Sequence, residues 1–227
     1  MDQKLLFLIN REWTGPVLDR VMTAMSSSSL WMLPLILLTL AVLVRGGFRA
    51  RTFVIVALLA VLLCDSVVGK QIKKSVARLR PHQSETWVRK VEPAQPAWQG
   101  PQESALRFLK LKPEKPAVPA IPAGGSFVET GRSFPSNHST NTACVALLAA
   151  IFFRRWGWLA FIPALAVSYS RLYLGVHWPS DVLGGIFLGL AVALLTLLLA
   201  ELLWRRFGAR LSPKLAERHP SLLSPSA

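Results

Sequence analysis

The sequence predicts an all-α polytopic bundle of about five transmembrane helices, preceded by interfacial helices at the N-terminus. Three observations carry this expectation. Hydrophobic residues make up 52% of the 227 positions and charged residues 17%, whereas soluble domains average about 25% charged. The missing charge is missing from long apolar runs, so this is a membrane composition. Those runs approach the roughly 20 residues that cross a bilayer.

Residues 1–29 form an interfacial segment. Leu5, Leu6, Leu8 and Ile9 alternate with Lys4, Asn10 and Arg11, then Val17, Leu18, Val21 and Met22 follow, a pattern that buries one face without spanning. The opening stretch has too short an apolar core, and no small-residue cleavage site, to read as a signal peptide. The expected spans are Leu30–Val44, Thr52–Ile72, His138–Phe153, Trp156–Leu174 and Pro179–Trp204. The first and third are short but have apolar neighbours that extend them. Residues 82–134 are the one long polar stretch. Its prolines (Pro93, Pro96, Pro101, Pro113, Pro116, Pro119 and Pro122) rule out sustained helix or sheet. It reads as an extracytoplasmic loop with room for one short helix over 102–111. The membrane-embedded unit thus covers 1–206, and the polar, Pro/Ser-rich residues 207–227 read as a fraying cytoplasmic tail.

Net charge is +14, from 26 Lys+Arg against 12 Asp+Glu. The basic residues flank apolar runs or cluster in one motif, so anionic headgroups and phosphates fit as partners and nucleic acid does not. Arg45, Arg49 and Arg51, then Arg154 and Arg155, then Arg205, Arg206 and Arg210 all fall on one side of a five-span topology. The positive-inside rule makes that side cytoplasmic. Cys64 and Cys144 lie within apolar runs and read as buried small hydrophobes. The sequence does not indicate an oligomeric state.

Three polar clusters fall on the opposite, outward side: Lys73 to Arg80-Pro81, Pro135-Ser136-Asn137-His138, and Ser170-Arg171 through His177 to Asp181. Cations at a membrane boundary need an anion or a wet cavity, and a phosphate supplies the anion. Lys73 and Arg80 stand seven positions apart, so one helix would place both on one face. Arginine offers a planar fork to phosphate oxygens and lysine a compact charge. His177 and Asp181 stand four apart. On one helical turn the carboxylate takes one ring N–H and leaves the other nitrogen to attack. His138 opens a helix after a Pro-Ser-Asn turn, where free N–H groups favour phosphate and an imidazole is placed to donate a proton. Taken singly, the cations also read as interfacial snorkelers, and the histidines as a helix-start residue and half of a structural pair. Asp65 precedes Lys73 by eight residues; it reads equally as a functional acid or as an ion-pair partner of the cluster.

Taken together, the clusters resemble the three-part signature of the type 2 phosphatidic acid phosphatase superfamily: Lys-x6-Arg-Pro, Pro-Ser-Gly-His and Ser-Arg-x5-His-x3-Asp. Every fixed position of the first and third parts is matched. In the second, Asn137 stands where the family usually has glycine. Asparagine is the next most willing residue to adopt a left-handed conformation. The resemblance implies a metal-independent lipid phosphatase with no cofactor. His177 would form a phospho-histidine, Asp181 would orient it, and His138 would protonate the leaving oxygen and then activate water. Lys73, Arg80, Ser136, Asn137 and Arg171 would hold the phosphate. The implied setting is a bacterial inner membrane with the site facing the periplasm. The foremost expected substrate is undecaprenyl diphosphate. Phosphatidic acid or phosphatidylglycerol phosphate comes next, then lipid A. A lipid-binding membrane protein with an inactive site is the alternative from a different class.

Overall fold

The computed structural model describes residues 1–91 and 132–223. Most of the proline-rich loop, including the helix expected over 102–111, lies outside the described residues. Helix α1 (Asp2–Phe7) continues as a π-helical turn over Leu8–Glu12. Helix α2 (Pro16–Ser26) starts on a proline, whose absent N–H costs nothing in the first turn. Ser27 caps α3 (Ser28–Arg45) by accepting from the Leu30 N–H. Gly46 and Gly47 turn the chain into α4 (Phe48–Leu63), which widens to a π-helix over Cys64–Gly69 and resumes as α5 (Lys70–Val76). The short α6 (Pro81–Ser84) follows. After the loop come α7 (Asn137–Gly157), a 3₁₀ turn (Trp158–Ala160), α8 (Phe161–Tyr173), α9 (Pro179–Leu211) and α10 (Pro213–Arg218).

Four helical runs among the described residues are long and apolar enough to cross a membrane: Ser28–Arg45, Phe48–Ser84, Asn137–Tyr173 and Pro179–Leu211. Five spans were expected, and the third and fourth are the ones joined into a single run. That run reverses at Arg154, where φ is 39° and ψ is −94°, and α8 packs back along α7. The reversal is tight because Gly157 carries no side chain: a Cβ there would lie 2.0 Å from the Ala149 carbonyl oxygen. The reversal falls at the expected boundary near Arg154 and Arg155, and the chain on either side of it forms two packed helical segments with no intervening loop.

The core is apolar and lies between α4, α7 and α9. Val56, Ala57, Ala60 and Cys64 meet Cys144, Leu148 and Phe152, with Val192, Ala193 and Leu197 closing the third side. Both cysteines are free and buried, as expected. Helix α9 approaches α7 closely through a Gly-x-x-x-Gly pair. A Cβ on Gly185 would meet the Ser136 carbonyl oxygen at 2.8 Å, and one on Gly189 the Thr140 carbonyl oxygen at 2.1 Å. Small residues of this kind let apolar helices associate in lipid by close backbone packing. The outward faces of α3, α4, α8 and α9 expose leucine, isoleucine, valine and phenylalanine along their length. In water such a surface would be unstable; facing acyl chains it is not. The chain is an integral membrane protein.

The three basic turns collect at one end of the bundle. Arg49 donates to the Ile151 carbonyl, Phe53 packs on Phe153, and Phe48 packs on Trp204. The segment expected to fray is ordered here as far as the structure describes it. Helix α9 runs on to Leu211, and the chain then folds back. The His219 ring stacks on Phe48 at 4.1 Å, Trp204 Nε1 donates to the His219 carbonyl, and the Leu222 N–H donates to Glu201.

The opposite end carries the N-terminal helices. Part of their apolar face packs on protein: Leu6 and Ile9 join Leu172, Tyr173, Leu174, Trp178 and Val182 in a second core, while Val17 and Val21 of α2 stay exposed. Buried Asn10 ties this end together, with its amide donating to the Arg89 and Tyr173 carbonyls and its oxygen accepting from the Arg89 N–H.

Candidate active site

All three polar clusters end at this N-terminal end of the bundle. His177 lies between α8 and α9, 3% exposed, and Asp181 lies in the first turn of α9, fully buried. The two were expected on one helical turn. In the structure the helix begins after His177, and Asp181 instead caps its own helix, with Oδ2 accepting from the Trp178 N–H at 2.9 Å. Nδ1 of His177 is 3.8 Å from Asp181 Oδ2, longer than a hydrogen bond, and has no hydrogen-bond partner among the described residues. Burial pushes His177 down to about 4, with Asp181 opposing and Arg171 and Arg80 adding to the effect. The imidazole is therefore neutral near pH 7.

Asp181 is held by more than His177. Oδ1 accepts from Arg78 at 2.8 Å, and Oδ2 accepts from the Ser133 hydroxyl at 2.5 Å. The sequence marks Arg78 only as one more cation between Lys73 and Arg80, and nothing in the spacing marks Ser133. Both are brought in by the chain on either side of the loop, where the Ser133 N–H donates to the Arg78 carbonyl.

Lys73 and Arg80 do not share a helix face as expected. Helix α5 stops at Val76, and Ala77 turns left-handed at φ 45°. Residues 78–80 then run extended along the start of α9, where Trp178 Nε1 donates to the Leu79 carbonyl at 3.0 Å. Even so, Lys73, Arg80 and Arg171 converge. The charges acting on Lys73 are those of Arg80, Asp65, Arg171 and Asp181. Those acting on His138 are Arg171, His177 and Lys73. Three mutually repelling cations around two imidazoles form a site built for an anion. Arg171 Nη1 meets the Ser26 hydroxyl at the α2–α3 junction, and its buried Nε has no partner among the described residues.

Ser136 is the N-cap of α7, and Thr140 donates back to its carbonyl. Its hydroxyl accepts from Ser139, which leaves its own proton to give. Asn137 behaves differently from the other cluster residues. Its amide donates to Asp65 at 3.1 Å, and the Asn141 amide donates to both Asp65 oxygens. Asp65 sits on the π-helical turn, so this network locks the bulge of α4 to the opening turn of α7. Asp65 thus takes its hydrogen bonds from amides, while its charge also acts on Lys73.

The sequence pattern that defines the PAP2 superfamily matches residues 51–205, more than half the chain. The chain belongs to the PAP2 superfamily. Among relatives of this PAP2 chain, phosphatidylglycerophosphatase B of Bacillus subtilis is 30% identical over 200 residues, covering 82% of the chain and 75% of the relative. The undecaprenyl-diphosphatase of Sulfolobus acidocaldarius is 41% identical over 68 residues, covering 30% of the chain and 33% of the relative. Relatives matched at 39 to 41% identity over such short stretches are spanned over only 32 to 40% of their own length. The crystal structure of Aquifex aeolicus LpxE superposes with a TM-score of 0.57 at 20% identity, covering 86% of the chain and 94% of that structure. The PAP2 chain therefore shares that fold.

Proposed function

We propose that the protein is a membrane lipid phosphatase that works through a phospho-histidine without a metal. The observation that carries this is the gathering of Lys73, Arg80 and Arg171 around His138 and His177. Cations stand where a divalent-metal site would need carboxylates. Nε2 of His177 attacks phosphorus, and the bond from phosphorus to the leaving oxygen breaks. His138, protonated once the bound phosphate dianion offsets the surrounding cations, gives its proton to that oxygen and becomes neutral. His138 then takes a proton from water, the water oxygen attacks phosphorus, and the histidine–phosphorus bond breaks to release inorganic phosphate. Lys73, Arg80, Arg171, Ser136 and the N–H groups opening α7 hold the phosphate oxygens and stabilise the growing charge. Asp181 orients His177. Its 3.8 Å separation from Nδ1 fits a pair that tightens in the substrate complex, as catalytic hydrogen bonds commonly do.

The basic turns at the far end support a cytoplasmic position for that end, with the site facing the periplasm of a bacterial inner membrane. Undecaprenyl diphosphate is the leading substrate, on the locally higher identity to a named undecaprenyl-diphosphatase. Phosphatidylglycerol phosphate is the second reading, favoured by the long match to a phosphatidylglycerophosphatase.

The test is phosphate release in detergent from undecaprenyl diphosphate, phosphatidic acid, phosphatidylglycerol phosphate and lipid A, with and without chelator. Release should survive the chelator, and the fastest lipid identifies the substrate. His177→Ala should lower turnover by at least about 10³-fold while the folded protein is retained. Activity lost to the chelator would end the metal-free mechanism. No release from any lipid by folded wild type would favour the inactive lipid-binding alternative.

A further inference from the structure

We propose that Arg78 is a positioning residue for His177, acting through Asp181, and that Asp2 of the N-terminal helix completes its clamp. The inference rests on the lipid phosphatase reading above. Arg78 is the one guanidinium in contact with the buried Asp181 carboxylate among the described residues. Its Nη1 lies 2.8 Å from Asp181 Oδ1 and 2.6 Å from the Ser180 hydroxyl, and its Nη2 lies 2.9 Å from Asp2 Oδ2. The guanidinium carbon lies 5.2 Å over the Trp178 ring. Asp2 in turn accepts from the Ser180 N–H at 3.1 Å and the Ser180 hydroxyl at 2.5 Å. The N-terminal helix is thereby pinned to the first turn of α9, the turn that carries Asp181.

The arrangement has a physical logic. A buried carboxylate without a cation is costly, and Asp181 is fully buried. Lys73 is close enough to feel its charge, and a site cation that paired with Asp181 would be lost to the phosphate. Arg78 removes that conflict by neutralising Asp181 through Oδ1, leaving Oδ2 as the oxygen that approaches His177. Two sets of cations result, one for the carboxylate and one for the substrate. Together with Ser133 and the Trp178 N–H on Oδ2, Arg78 fixes the carboxylate so that the remaining direction of Oδ2 faces Nδ1 of His177. Arg78 also spans two carboxylates at once, which a planar fork does and a lysine ammonium on a flexible stem does not.

A positioning role and a phosphate-binding role separate in kinetics. Arg78→Ala should lower kcat by about 10²-fold, the loss expected when a reacting group is misplaced by about 1 Å. KM should stay within about twofold, because substrate binding is untouched. Arg78→Lys should recover only part of kcat. Asp2→Ala should lower kcat by less, and Asp2→Ala added to Arg78→Ala should cost nothing further, because Asp2 acts through Arg78. A raised KM with kcat unchanged in Arg78→Ala would make Arg78 a phosphate ligand and overturn the proposal. Additive losses in the double variant would overturn the part assigned to Asp2. Should Arg78→Ala fail to fold, Arg78→Lys and Asp2→Asn carry the same test, with Tm measured alongside; full activity in both would overturn it. Wild-type turnover and its loss in His177→Ala, run in parallel, report on the phosphatase reading itself and keep the two questions apart.

Discussion

At the scale of single residues, burial decides what the site can do. His177 is pushed down to about 4 by burial, against about 6.5 for a free imidazole. Its folded-state pKa is depressed, so the folded protein refuses a proton that the unfolded chain accepts. The stability this provides is present above pH 6.5 and is lost as pH falls toward 4. Between pH 7 and pH 5 the loss should be about 2 kcal/mol. His177→Asn removes the titrating group, so its Tm should fall less over that interval than the wild type's. Equal falls would place His177 in contact with water. Asn137 gives a second residue-scale prediction. Its amide is committed to Asp65, so Asn137→Ala should cost about 1 to 2 kcal/mol, as expected for a hydrogen bond to a charged group, and leave KM unchanged. A raised KM would return its side chain to the phosphate.

At the scale of elements, the site depends on how closely α7 and α9 approach. Ser136 and His138 open one helix, and His177 and Asp181 sit at the start of the other. Gly185 and Gly189 set the gap between them. Gly189→Ala would drive a methyl group to 2.1 Å from the Thr140 carbonyl oxygen, and the helices must separate. The expected cost is about 1 to 3 kcal/mol of stability, with a fall in kcat measured at a temperature where the variant stays folded. An unchanged kcat would mean that the site tolerates movement between the two helices. The left-handed Ala77 has a related role, because it ends α5 and lets Arg78 reach α9 while Lys73 stays behind on the helix.

At the scale of the whole molecule, the two ends have separate duties. The far end, where α10 and the following residues return onto Phe48, Trp204 and Glu201, makes no hydrogen bond or ion pair with the candidate catalytic residues among the described residues. Deleting residues 212–227 should lower Tm in detergent while kcat/KM stays within about twofold. A large loss of kcat/KM would reveal coupling along the bundle. Orientation is tested by the same division. In sealed inside-out vesicles, a membrane-impermeant thiol reagent should label Arg210→Cys and spare Arg20→Cys. The reverse pattern would turn the site to the cytoplasm.

The sequence by itself determined the helical membrane class, the span positions to within a few residues, and the set of His, Asp, Lys and Arg that meet at one end. It could do so because span length, charge-flanked apolar runs and residue spacing are local quantities, legible along the chain. It did not reveal that Lys73 and Arg80 lie on different segments, that the third and fourth spans join without a loop, or that residues beyond Arg206 fold back. Nor did it reveal the partners of Asp181. Arg78, Ser133 and Asp2 come from separate stretches of chain, and only the packing of α1 and the two loop ends against α9 brings them to one carboxylate. Hydrogen bonds between residues distant in sequence leave no periodic trace, so the tertiary structure alone decided how the nucleophile is held.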